Sequence, residues 1–248
     1  MTGEPLRVAL LGAQGRVGRL VVEAVAGSPD AVVVAQVGRG QVGPGCFRDA
    51  QVVIDFSLPE ALARALPFVG DAALVSGTTG IEEALHASLV AQAKRAPVLR
   101  ADNFSVGVNA LGRLVEQAAA SLPDYDIEIV EVHHRNKVDA PSGTAMFLVA
   151  CAEAGRGASA TELVYGRRGH TGVRPAGPIG VHALRGGDVV GEHTVWMCGP
   201  GDRLQLGHVA TSRATFAHGA LRAARWLSGR TAGWYTMRQV LGEAPFGR

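Results

Sequence analysis

The chain holds 248 residues, 47% apolar and 19% charged, with 33 glycines, which is the make-up of a turn-rich globular protein of one large or two small domains and excludes a disordered or collagen-like chain. Twenty-four basic residues against 22 acidic ones leave a net charge of +2 without a block of like charge, so no nucleic-acid partner is expected. No apolar run approaches the roughly 18 residues of a membrane span, the N-terminus enters a strand pattern instead of a secretory signal, and Cys46, Cys151 and Cys198 show neither CxxC nor zinc spacing; no membrane, no metal, and a cytoplasmic location with reduced thiols are expected.

Leu6 to Leu11 is a short apolar run, the pattern of a buried parallel strand. It leads into Gly12-Ala13-Gln14-Gly15-Arg16-Val17-Gly18. Val17, Leu20, Val21, Ala24 and Val25 then repeat at helical spacing up to Gly27, and Ala31 to Val37 reads as a second strand. Strand, glycine turn, helix, strand is the opening of a dinucleotide-binding unit, in which the turn admits a pyrophosphate and the helix start holds its charge. The spacing is GxxGxxG, looser than GxGxxG, and a tight structural turn is the plainer alternative. Where NAD sites usually carry a carboxylate for the ribose, this chain has Gly38 followed by Arg39. A guanidinium without an acid suits the 2′-phosphate of NADPH, which is favoured over NADH; a solvated surface Arg39 is the alternative.

Val52 to Phe56, Ala72 to Ser76 and Pro97 to Arg100 read as further strands, separated by helical stretches such as Glu82 to Lys94. The alternation predicts a doubly wound, Rossmann-like parallel sheet with ligands beyond its carboxyl ends. Gly77-Thr78-Thr79 and Ala101-Asp102-Asn103-Phe104 fall at those ends, where they can hold a nicotinamide or serve as ordinary turns.

Val106 to Ser121 has helical spacing. Ile127 to Val132 is strand-like and runs into His133-His134-Arg135-Asn136-Lys137-Val138-Asp139, then Pro141 and Ser142, an N-cap for a helix over Gly143 to Ala154. Only two of the 24 basic residues are lysines, Lys94 and Lys137, and Lys137 is the one placed for a task a guanidinium performs badly, yielding a proton. The N–H groups near Gly143 and Thr144 favour an anion, Lys137 can pair with it, and an imidazole moves protons near neutral pH. His133 and His134 share one site only if the strand has already become a loop between them. Each histidine alone has a structural alternative, and a metal is the lesser reading. From Ile179 on, Ile179 to Arg185, Val189 to Met197 and Arg203 to Thr211 are expected to form an antiparallel meander, with His182, His193 and His208 as structural residues. Thr215 to Leu227 reads as a helix that closes the chain back onto its first domain, with Trp226 in the core.

With GAQGRVG, VVIDFS, SGTTG, DNFSVGVN, EVHHRNKVDAPSGTA, RRGHTG, RGGDVVGEHTV and SRATFAHGAL in order, the chain resembles the 4-hydroxy-tetrahydrodipicolinate (dihydrodipicolinate) reductase family of lysine and diaminopimelate biosynthesis. The resemblance implies a dinucleotide-binding domain over residues 1–105 and 213–248 and an α+β substrate-binding domain over 106–212, whose mixed, largely antiparallel sheet builds a homotetramer. It implies hydride transfer from NADPH or NADH to C4 of a cyclic imine dicarboxylate, with His133 and Lys137 catalytic and the substrate held by His134, Gly143 and Thr144. Cofactor contacts would fall on Gly12, Ala13, Gln14, Gly15, Arg16, Val17, Arg39, Gly77, Thr78, Thr79, Ala101, Asp102, Asn103 and Phe104. Gly38 and Asp102 depart from the family pattern, and the stretch from Val37 to Val52 is short enough to predict a loop crossover. A related cyclic-imine reductase and a non-catalytic NADPH-binding sensor share much of this pattern; the sensor reading predicts cofactor binding without turnover.

Overall fold

The computed structural model describes residues 4–38 and 40–242. Two compact units emerge, one from the residues up to Val106 together with those from Arg213 on, the other from Gly107–Ser212.

The first unit is built on a six-stranded sheet of β1 (Leu6–Leu11), β2 (Ala31–Val37), β3 (Val52–Asp55), β4 (Ala73–Ser76), β5 (Pro97–Arg100) and β11 (Gly233–Tyr235). Its order is β11-β5-β4-β3-β1-β2 and every pairing is parallel. The apolar runs read as buried strands because both faces are covered. Val8, Leu10, Val52, Ile54, Val75 and Leu99 face α1 (Arg16–Ala26) and α6 (Ala214–Leu227). Their neighbours Ala9, Leu11, Val53, Leu74 and Val98 face α2 (Pro59–Ala65) and α3 (Glu83–Ala93). This is the expected doubly wound architecture, and the β2–β3 connection contains turns only among its described residues. Trp226 departs from expectation: it is half-buried at the rim of the core, edge-on to Tyr235 and beneath the Arg230 guanidinium. An indole keeps one wet edge more easily than leucine, and Leu227 takes the buried position next to it. Strand β11 and α7 (Met237–Val240) carry too few residues for their patterns to be legible.

The second unit has α4 (Val106–Ser121), β6 (Asp126–His133), α5 (Gly143–Arg156), β7 (Leu163–Val164), β8 (Ile179–Arg185), β9 (Gly191–Cys198) and β10 (Arg203–Ala210). The Ser142 hydroxyl caps α5 by accepting the Ala145 N–H at 3.1 Å, and Gly157, at φ 63°, ends it in the left-handed conformation. The mixed sheet, in the order β10-β9-β6-β8-β7, corrects the expected meander. Strands β9 and β10 are antiparallel neighbours, but β6 lies between β8 and β9, parallel to one and antiparallel to the other. The reversal between β8 and β9 was readable from the Gly-Gly-Asp turn; the inserted partner comes from 52 positions before β8, with Ile127 against Ile179, and no local pattern announces it. Strand β6 alternates half-buried and buried residues, with Ile127 and Ile129 packed on α4 and α5.

Candidate active site

In the first unit the glycine turn is made of missing side chains. Gly12 has φ +82°, and a Cβ there would lie 2.6 Å from the Phe56 carbonyl oxygen. A Cβ on Gly18 would run into the Gly12 carbonyl. The ends of β1 and β3 and the start of α1 therefore close together only with glycine at both places. Helix α1 starts after Gly15 with no side-chain cap, so its first-turn N–H groups remain open. They lie at the switch point of the sheet, where β2 flanks β1 on one side and β3 on the other. A pyrophosphate fits this cradle through backbone N–H groups and the helix dipole.

The neighbouring loops are fixed by a residue the sequence reading missed. Asp55, fully buried at the end of β3, accepts hydrogen bonds from Ser57 N (3.0 Å), Ser57 Oγ (2.5 Å), Ser76 Oγ (2.7 Å) and Thr78 Oγ1 (2.8 Å). Burial raises its carboxyl above the ordinary value and the hydroxyl donors oppose the shift. The signal was an acid closing an otherwise apolar strand, with hydroxyl residues on the next two turns.

Among the residues expected at the cofactor, Gln14, Gly15, Arg16, Thr79 and Asp102 are exposed, and Gly12, Val17, Gly77, Ala101 and Asn103 are half-buried. Ala13, Thr78 and Phe104 are buried, Phe104 lying edge-on to Phe56, and they support the loops from within. Asp102 pairs with Arg100 at 2.6 Å, which offsets the charge that made it conspicuous. The Gly38 N–H donates to Gln41 Oε1 at 2.8 Å; Arg39 lies outside the described residues.

In the second unit β6 ends at His133, and His134 begins the loop. His133 is buried at 9% exposure, and its Nδ1 lies 2.5 Å from Glu131 Oε2. Arg185 donates to both oxygens of Glu131 at 2.8 Å, and Ser142 N–H donates to Oε1 at 3.1 Å. Burial lowers His133 below the usual imidazole value, against the opposing pull of Glu131. For Glu131 itself burial pushes upward, but Arg185 and His133 prevail and hold the carboxyl below its usual range. Lys137 reaches both oxygens of Asp139 at 2.8 Å. His134 is half-buried, and its Nδ1 is a buried ring nitrogen without a hydrogen-bond partner among the described residues. Gly143 is exposed and Thr144 half-buried at the first turn of α5.

His193, expected to be structural, stands beside this group: its ring is edge-on to His133 at 5.2 Å, and its Nε2 lies 3.1 Å from Ser142 Oγ. Burial lowers it to about 4. The register pairs it with His208, while His182 lies on β8 beyond β6 and bonds Glu128.

Residues 6–104 match the family described as dihydrodipicolinate reductase, N-terminus, and residues 107–241 match dihydrodipicolinate reductase, C-terminus. The chain belongs to the dihydrodipicolinate reductase family. A 4-hydroxy-tetrahydrodipicolinate reductase of Thiobacillus denitrificans is 46% identical, with 96% of this chain and 98% of that protein covered. One of Caulobacter vibrioides is 44% identical at the same coverage. The dipicolinate-bound dihydrodipicolinate reductase from Paenisporosarcina sp. TG-14 shares the fold, with a TM-score of 0.74 at 21% identity over 94% of this chain and 97% of that one. The C. glutamicum DAP dehydrogenase in complex with DAP is a more distant likeness, with a TM-score of 0.56 and 14% identity over 98% and 97%.

Within this reductase fold the sequence reading missed Glu131, Arg185 and His193 as neighbours of His133. The alternation of Glu131 and His133 along β6 was a usable signal, since residues two apart on a strand share a face. Arg185 and His193 had none, because they arrive through pairing with β8 and β9.

Proposed function

We propose that this chain is a 4-hydroxy-tetrahydrodipicolinate reductase of lysine and diaminopimelate biosynthesis. The observation that carries the reading is a buried imidazole, an ammonium and the first turn of a helix within one short segment, His133 to Thr144, in a chain that also has the nucleotide cradle. A reduced nicotinamide, when bound, supplies the hydride to C4 of the dehydrated substrate. Glycines 12, 15 and 18 and the α1 start hold its pyrophosphate, and the loops at Gly77–Thr79 and Ala101–Asn103 hold the ring end. The start of α5 at Gly143 and Thr144 and the half-buried His134 ring hold the substrate carboxylates. Water leaves the 4-hydroxy precursor, and a proton must reach the reduced ring system to balance the hydride. His133 Nε2 and Lys137 Nζ deliver or relay that proton. The absence of an acid at Gly38 supports NADPH over NADH.

Three uncrosslinked cysteines support a cytoplasmic setting, and among the described residues no helix is long and apolar enough to cross a membrane. Assembly as a homotetramer is supported by the sheet face turned away from α4 and α5. It carries Val130, Val132, Leu184, Trp196 and Val209, with Leu184 and Val209 48% and 60% exposed. Light scattering on the eluted protein checks this, and a monomer mass overturns it.

The deciding assay mixes the full chain with each cofactor in turn and 4-hydroxy-tetrahydrodipicolinate freshly made by the enzyme that precedes it. Loss of the reduced-nicotinamide absorbance, faster with NADPH, is the expected result. Cofactor binding without absorbance loss overturns the proposal in favour of another cyclic-imine substrate or a sensor.

A further inference from the structure

We propose that Glu131 is a positioning residue that fixes the His133 ring as the Nδ1–H tautomer, so that Nε2 is the nitrogen that exchanges protons with a ligand. The inference rests on the proposed role of His133 as a proton donor and adds the device that makes that role specific.

Glu131 and His133 stand two apart on β6 and share its buried face. Register then determines their company. His133 pairs with Arg185 on β8, and Glu131 pairs with His193 on β9. The carboxylate is wholly buried; it accepts from both Arg185 Nη atoms and Ser142 N–H, and it lies 2.5 Å from His133 Nδ1. Two of these belong to a permanent cation, so the carboxylate is kept ionised, and an ionised carboxylate only accepts hydrogen bonds. The proton between Glu131 and His133 therefore belongs to the imidazole Nδ1. The hydrogen bond at one ring nitrogen decides which proton the other carries.

Nε2 is kept approachable on its other side by Gly191. A Cβ at that position would lie 2.9 Å from His133 Nε2, so any larger residue would crowd the nitrogen. The remaining charged or titratable neighbours are Lys137 and Arg185, which disfavour a protonated His133, and His193, whose ring meets it edge-on. Glu131 is the carboxylate that offsets them. The same carboxylate holds the backbone of Ser142, the α5 cap, and Arg185 also holds the Asp139 carbonyl at 2.8 Å. One buried acid thus orients the imidazole and anchors the loop that leads to the helix start.

The test is nitrogen-15 NMR of the histidine rings in the full chain, with His133 assigned by its loss in His133→Asn. The wild-type ring is expected as the Nδ1–H tautomer. In Glu131→Gln, which keeps shape and removes charge, kcat should fall about tenfold to a hundredfold with KM changed less than threefold. The alkaline limb of the kcat profile, where protonated His133 is lost, should move down by about one pH unit, because the charge that favours the imidazolium is gone. If Glu131→Gln does not fold, Glu131→Gln with Arg185→Gln removes both charges together, and the wild-type tautomer is read without any change at Glu131. A wild-type Nε2–H tautomer, or an unmoved limb in a folded variant, overturns the inference. Full kcat in His133→Asn instead overturns the proton-donor reading, while the tautomer measurement still decides whether Glu131 orients the ring.

Discussion

The two units build their candidate sites in opposite ways. In the first, the cradle is formed by backbone and by side chains that are absent at Gly12 and Gly18. In the second, it is formed by charged side chains, with Glu131 buried among Arg185, His133 and Ser142. A backbone site is local: strand, turn and helix start follow one another along the chain, so their order in sequence is their order in space. A side-chain network is assembled by strand pairing and draws on residues up to 62 positions apart, from Glu131 to His193. The first is insensitive to charge and intolerant of added volume; the second is tolerant of neither lost charge nor changed protonation.

The largest expected effect tests the second kind of site. Lys137→Arg keeps the positive charge and should keep the fold by circular dichroism, yet lose about a hundredfold or more in kcat, because a guanidinium does not release a proton near neutral pH. Near-normal turnover in that variant would show that Lys137 acts only as a charge.

Acidification sharpens the same contrast. Burial holds His193 at about 4, below the ordinary value near 6.5 that it regains on unfolding. Between those values the unfolded chain binds a proton that the folded chain refuses, so stability falls as pH drops through that window, by at most about 3 kcal/mol from this residue. Glu128 acts lower down. Burial raises it, but His182, Arg174 and Arg167 hold it at about 2, and the stability it contributes above its ordinary 4.5 is lost as pH falls from there toward 2. Urea unfolding at a series of pH values should show the first decline in the wild type and a flatter curve between pH 6.5 and 4 in His193→Gln.

Added volume should break the first site. Gly18→Ala places a methyl against the Gly12 carbonyl, and a loss of about 2 kcal/mol in stability is expected, together with NADPH affinity weakened at least tenfold by titration calorimetry. Unchanged affinity would mean that the turn is structural only.

The smallest effect concerns the helix start in the second unit. Ser142→Ala removes the cap on Ala145 N–H and the contact with His193, and should cost about 1 kcal/mol in denaturant unfolding while weakening substrate binding more than kcat. A change in kcat alone would point to His193 instead of the helix start.

The amino-acid order by itself determined the buried strands of the first unit, the glycine turn, the Ser142 cap and the clustering of His133, His134 and Lys137, because each depends on interactions a few residues apart. It also made the family legible through long contiguous motifs. Tertiary structure alone decided that β6 sits between β8 and β9, that Glu131 meets Arg185 beside His133, that His193 joins them, and that Asp55 ties the turns after β3 and β4. Those outcomes depend on which strands pair and in what register, and a backbone ladder accepts many partners until the whole core selects one.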